Sequence, residues 1–161
     1  MANLIIWRHA EAEDISTADV DLHRALTKRG RKDALKMAKW LNAHIPKEVE
    51  VLCSPARRCL ETADALNKGL KGSRKREIEM VDFLGVDSSV EVIIEQVLNE
   101  DSSKTLVLVG HQPTLGQLVA KLVGMQDFAC VIKKGAVWWL RQRLVDGQLQ
   151  TYLFTVQNPD Y

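Results

Sequence analysis

The chain has 161 residues, of which 46% are apolar and 27% charged, with a formal net charge of +1. This is the size and composition of one globular domain with a real core, expected to span residues 1–161. The charge balance lacks the basic surplus of a nucleic-acid-binding domain, and no apolar run approaches the ~18 residues of a membrane span.

No signal-peptide pattern opens the chain. The basic clusters "TKRGRKD" (residues 27–33) and "KGSRKRE" (residues 71–77) read as solvated surface. Cys53, Cys59 and Cys130 form no C-x-x-C motif and read as buried thiols, so a cytoplasmic protein is expected.

"LIIW" at residues 4–7 is apolar at every position, which predicts a short strand buried on both faces. Residues 27–44 read as a helix. Ala34, Met37, Ala38 and Leu41 recur at helical spacing, Thr27 is the expected N-cap, and Pro46 lies beyond the end. Ile15 to Leu22, before that helix, reads as the loop that shapes an entrance. "VEVLC" (residues 49–53) is a second strand. Ser54 and Pro55 then read as an N-cap and a first helical position, with Cys59, Ala63, Leu66 and Leu70 as the inner stripe.

"REIEMV" (residues 76–81) is a third strand. "SSVE" (residues 88–91) has capping-box spacing and leads into a helix striped by Val90, Ile93, Ile94, Val97 and Leu98. "TLVLV" (residues 105–109) is a strand that Gly110 breaks, and a helix carrying Leu115, Leu118, Val119 and Leu122 follows. Residues 135–156 read as a hairpin turning at Asp146-Gly147, with Trp138 and Trp139 on opposite faces.

Strand–helix alternation of this kind implies an α/β fold. The expected architecture is three-layer α/β/α, with a mostly parallel central sheet and an antiparallel C-terminal hairpin. Ligands of such sheets bind outside the C-terminal strand ends. The first strand is followed by Arg8 and His9, the second by Ser54, Pro55 and then Arg58, and the 105–109 strand by Gly110 and His111. If these strands are near neighbours, two imidazoles and two guanidinium groups meet at one sheet edge, the imidazoles within ~10 Å of each other, about a helix diameter. The set has no central carboxylate and no ligand trio for zinc. It suits an oxyanion, phosphate above all, because an arginine fork grips two phosphate oxygens and a neutral imidazole can attack phosphorus.

"RHA" (residues 8–10), "SPARRCLET" (54–62) and "GHQP" (110–113) resemble the R-H-G, S-P-x-x-R-A-x-Q-T and G-H-x-P patterns of the histidine phosphatase, or phosphoglycerate-mutase-like, superfamily. "RALTKRGRKDA" (24–34) is similar to the P-L-T-x-x-G segment of that family. The compact branch of SixA-type phosphohistidine phosphatases matches best, since the stretch between Thr62 and Leu106 leaves no room for a lid domain. Departures from the pattern are Ala10 for glycine, Ala25 for proline, Cys59 for alanine and Glu61 for glutamine.

The resemblance implies that His9 is a nucleophile that becomes phosphorylated. It implies that Arg8, Arg58 and His111 bind the phosphoryl oxygens, that Arg24 binds substrate phosphate at the rim, and that Asp21 is a positioning or acid group. One ring nitrogen of His9 should be fixed by a backbone carbonyl, and the arginines should keep His9 neutral. The general acid is open between Asp21 and Asp82. A phosphohistidine substrate relaxes that need, because imidazole leaves readily.

No metal ion and no cofactor are expected. The partner is a phosphorylated protein carrying phosphohistidine, approached by a monomer without nucleic acid or membrane. A small-molecule phosphomonoesterase using the same residues, and an inactive phosphate-binding module, are the alternatives. A cysteine phosphatase is disfavoured: its C-x-x-x-x-x-R loop counted from Cys53 meets Cys59 where arginine belongs. Cys53 then reads as a buried strand residue, and His23 and His44 as surface.

Overall fold

The structure is a computed structural model and describes residues 2–15, 20–98, 103–125 and 130–161. Its elements are β1 (Ala2–Arg8), α1 (Lys28–His44), β2 (Glu50–Cys53), α2 (Arg57–Asp64), β3 (Ile78–Met80), α3 (Val90–Val97), β4 (Thr105–Gly110), α4 (Thr114–Val123), β5 (Val137–Val145) and β6 (Gln148–Gln157). They form one six-stranded sheet in the order β3-β2-β4-β1-β5-β6. β3, β2, β4 and β1 run parallel, and β5 and β6 close the sheet as an antiparallel hairpin. Asp146 and Gly147, with φ of 50° and 78°, make its turn.

The apolar runs become strands sandwiched between helices. Ile5, Trp7, Val51, Cys53, Val107 and Val109 face α1 and α2, against Met37, Ala38, Leu41, Cys59 and Ala63. Leu4, Ile6, Leu52, Leu106 and Leu108 face α3 and α4, against Ile93, Leu115, Leu118 and Val119. Each fully buried side chain of this size contributes roughly 1.5–3 kcal/mol. Trp139 belongs to the first layer and Trp138 packs on the second, as their alternation requires.

Local expectations shift in four places. Ser54 does not cap α2: the N-cap is Ala56, Pro55 precedes the helix, and the Ser54 hydroxyl accepts from the Ala56 N–H at 3.3 Å while binding His111. α2 ends at Asp64 and gives way to a 3₁₀ turn over Ala65–Asn67, so Leu70 falls beyond the helix. β3 keeps only three of the predicted residues, because it is an edge strand paired on one side. Ser89, not Ser88, caps α3, accepting from the Val92 N–H at 3.4 Å.

α1 starts where the chain closes on itself. Thr27 accepts from the Gly30 N–H at 2.9 Å, and its own N–H donates to the Glu11 carbonyl at 3.0 Å. Gly30 lies directly against that carbonyl, so a Cβ at this position would overlap the Glu11 oxygen. Gly30→Ala is therefore expected to lower stability by about 1–3 kcal/mol, as overpacking does. Urea unfolding measures this, and an unchanged midpoint would contradict the close approach.

Candidate active site

Three strand ends converge. β1 pairs with β4 so that Trp7 opposes Val109 and Arg8 opposes Gly110, and the His9 N–H donates to the Gly110 carbonyl at 3.1 Å. On the other side of β4, Cys53 opposes Val109 and the Ser54 N–H donates to the Val109 carbonyl at 3.0 Å. β1 leads to α1 on one face of the sheet, and β4 leads to α4 on the other. The crevice between their ends is the topological switch point where ligands bind in this architecture. His9 and His111 meet there, with ring centroids 5.4 Å apart and planes at 62°.

His9 is buried, and its Nδ1 lies 2.8 Å from the Ala10 carbonyl oxygen. A carbonyl only accepts, so Nδ1 carries the proton and Nε2 keeps its lone pair. Burial pulls the imidazole pKa down to about 3. The Ala10 hydrogen bond opposes this, while His111, Arg58 and Arg8 add to the lowering. The loop is tied down on both sides. The Ala10 N–H donates to Thr62 Oγ1 at 3.0 Å, and the Gly135 N–H donates to the His9 carbonyl at 3.0 Å. Ala10, where the family has glycine, is fully buried in the turn that follows.

His111 is also buried, and its pKa falls to about 4, first through burial and then through Arg58. Arg58 Nη2 lies 3.4 Å from its Nδ1, and Ser54 Oγ lies 2.8 Å from its Nε2. The Ser54 hydroxyl accepts from the Ala56 N–H at 3.3 Å and donates its own proton to Nε2, so Nδ1 carries the ring proton and can donate to a bound anion. Cys59 Sγ packs 3.6 Å from the same Nε2, its thiol pKa pushed up to about 12 by burial. Cys53 is fully buried and burial raises its thiol pKa further, which suits a structural residue.

Arg58 is 3% exposed. Its Nη1 donates to the Asp21 carbonyl at 3.0 Å and its Nη2 to Asp21 Oδ2 at 3.1 Å. Arg24 Nε donates to Asp21 Oδ1 at 2.9 Å and its Nη1 to the Glu13 carbonyl at 3.1 Å. One carboxylate thus clasps two guanidinium groups. Burial would raise the Asp21 pKa, but Arg58 and Arg24 outweigh it and hold the carboxyl below its ordinary value. Arg8 is anchored through Nη1 to the Ile132 carbonyl at 2.8 Å. Among the described residues, three buried side-chain polar atoms lack a protein partner, and two of them are Arg8 Nε and Arg58 Nε.

The cluster therefore gathers Arg8, His9, Arg58 and His111, with Asp21 and Arg24 at its rim. Asp82 lies apart, exposed in a 3₁₀ turn, lining a groove beside Asp21 and Pro55. Arg57 points outward and pairs with Glu61 at 3.6 Å. His44 is exposed and stacks on Trp40 at 4.6 Å, and His23 is exposed. Residues 16–19 of the predicted entrance loop lie outside the described residues. Among the described residues, no group of three or more His, Cys, Asp or Glu side chains could hold a metal ion.

Sequence reasoning missed three contributors. Ser54 and Cys59 back His111. Gln112 fastens the β4–α4 turn, accepting from the Gly116 N–H at 3.1 Å and donating to the Cys130 carbonyl at 2.6 Å. The position of Ser54 straight after a strand end was the one available signal.

A sheet edge with two neutral imidazoles among three guanidinium groups defines a site for phosphoryl chemistry. The Histidine phosphatase superfamily (branch 1) matches residues 4–84, half of the chain, and the chain belongs to that superfamily. A Haemophilus influenzae protein described as a phosphohistidine phosphatase SixA homologue is 29% identical over 132 residues, covering 78% of this chain and 79% of that one. A structure from Nakamurella multipartitia assigned as a phosphohistidine phosphatase SixA is 26% identical, with a TM-score of 0.76 over 98% of this chain and 96% of that one. A protein histidine phosphatase SixA complexed with tungstate shares the fold at 23% identity, with a TM-score of 0.78 over 98% and 97% of the two chains.

The depressed histidine pKa values make stability depend on pH. Unfolded, both imidazoles titrate near 6.5; folded, near 3 and 4. Between those values the unfolded chain binds more protons, so stability is lost as pH falls below 6.5 and is fully present above it. Urea unfolding is expected to weaken from pH 6.5 to pH 5, with a flatter dependence in His9→Gln. An identical slope in that variant would contradict the buried, neutral His9.

Proposed function

We propose that the chain is a phosphatase that removes the phosphoryl group from phosphohistidine in proteins through a covalent intermediate on His9. The observation that carries this reading is the tautomer of His9. Its Nδ1–H is held by the Ala10 carbonyl, which leaves a lone pair on Nε2 beside His111 and among guanidinium groups. The guanidinium groups of Arg58 and Arg8 lie close enough to His9 to act on its charge and supply N–H donors for phosphoryl oxygens.

In the first step Nε2 of His9 attacks phosphorus while the P–N bond to the substrate breaks. The substrate imidazole, protonated on its far nitrogen, departs neutral and needs no general acid. Arg8, Arg58 and His111 hold the equatorial oxygens as charge spreads over them. The phosphorylated His9 keeps its Nδ1 proton on the Ala10 carbonyl and so remains a good leaving group. Water then attacks phosphorus, the P–Nε2 bond breaks, and the water protons leave on inorganic phosphate. Asp21, deprotonated between two arginines, is a positioning clasp in this scheme and not a proton donor.

The names of the Haemophilus influenzae and Nakamurella multipartitia relatives agree with a phosphoramidate substrate. So does a strand-end cluster that, among the described residues, is served by no placed general acid, because an alkoxide leaving group would require one.

His9→Ala is expected to lose at least about 10³-fold in turnover of a phosphohistidine protein, and Arg58→Ala about 10²-fold or more. Neutral quenching and mass spectrometry should place a transient phosphoryl group on His9 of the native chain. Full activity in His9→Ala would refute the intermediate. Sugar phosphates turning over much faster than phosphoramidates would assign the site to small phosphomonoesters instead.

A further inference from the structure

Beside the cluster lies a groove of about 880 Å³ lined by Asp21, Leu22, Pro55, Asp82, Val86 and Asp87, among others. Asp21 clasps Arg58, and Pro55 follows the serine that backs His111, so the groove begins at the wall of the site. Its volume far exceeds what a phosphoryl group fills. Leu22, Val86 and Val92 stay 41–49% exposed along it, although nothing in the catalytic scheme uses them. Asp82 and Asp87 form no ion pair with a described residue, and the Ser88 hydroxyl nearby is buried without a protein partner. The groove thus combines exposed apolar side chains with two carboxylates that form no ion pair among the described residues.

The opposite flank has the other sign. The segment before β5 carries Lys133 and Lys134, and the first turns of α1 carry Lys28, Arg29 and Lys32, all exposed. Arg29 and Lys133 both reach Asp160, at 3.6 and 4.0 Å, which joins the two segments into one surface. That surface lies on the β5 side of His9, whereas the groove lies on the β2–β3 side.

Building on the reading of the site as a protein phosphohistidine phosphatase, we propose that this groove docks the substrate protein beside its phosphohistidine. The occupant is a surface segment that presents an apolar side chain flanked by lysine or arginine. Charge complementarity selects it: a basic segment is attracted by Asp82 and Asp87 and repelled by the lysines of the opposite flank, which fixes the direction of approach. The apolar strip then supplies contact area that a small phosphoramidate never touches.

The test compares two substrates in the native chain and in Val86→Ser/Asp87→Lys, which alters neither the cluster nor its clasp. The probes are a phosphorylated histidine-phosphotransfer domain with lysine or arginine within two helical turns of its phosphohistidine, and free phosphohistidine. The variant is expected to raise KM for the protein about fivefold or more, with kcat close to native and free phosphohistidine turned over within twofold of native. Replacing the basic residues of the phosphotransfer domain by glutamate should raise KM in the native chain and recover part of it in the variant. An unchanged KM for the protein substrate, or an equal loss on both substrates, overturns the docking role. Failure of the native chain to dephosphorylate either probe would instead overturn the reading of its function, and leave the two outcomes distinct.

Discussion

The parallel pairing of β1 with β4 fixes the distance between the two histidines. Each strand is apolar on both faces, so every residue has one helical layer to face. A slip of β4 by one position against β1 would send Val107 and Val109 into the wrong layer and reverse Leu106 and Leu108 with them. That penalty, several buried side chains at once, locks Arg8 opposite Gly110. The next residue of each strand is then a histidine, and the hydrogen bond from the His9 N–H to the Gly110 carbonyl leaves the pair no freedom to separate. The core decides the geometry of the polar edge.

At that edge the structure accepts an electrostatic imbalance. Arg24 and Arg58 share the Asp21 carboxylate, Arg8 stands beside His9, and the two imidazoles are held neutral chiefly by burial. The Nε–H groups of Arg8 and Arg58 are buried without a protein partner. Such an arrangement lowers stability, and it persists where function requires it. Asp21 offsets part of the repulsion while leaving the Nε donors free, and Ser54 holds His111 so that its Nδ1 turns toward Arg58.

Much of this was legible in the sequence because it rests on burial. Continuous apolar runs such as 4–7 and 105–109 encode strands covered on both faces, and the residues after them define the edge. Thr27 capped α1 as its chemistry predicts. What escaped was decided by partners distant in sequence. Ser54 has the composition of a cap, yet its hydroxyl binds His111, 57 residues away, and the helix starts only at Arg57. The Asp21 clasp required knowing that Arg58 and Arg24 approach one carboxylate from different elements. The role of Gln112 depends on the backbone at Cys130, which no local pattern announces. Asp82 was equally acidic on paper, but the fold places it on the groove and not among the imidazoles.

Catalysis by this scheme requires His9 Nε2 to face a phosphoryl group that Arg8, Arg58 and His111 enclose. A crystal structure with vanadate bound tests this most directly. A trigonal-bipyramidal vanadate bonded through its apex to Nε2 of His9, with Arg8, Arg58 and His111 on its equatorial oxygens, is the predicted result. Vanadate bound elsewhere, or held without contact to His9, would contradict it.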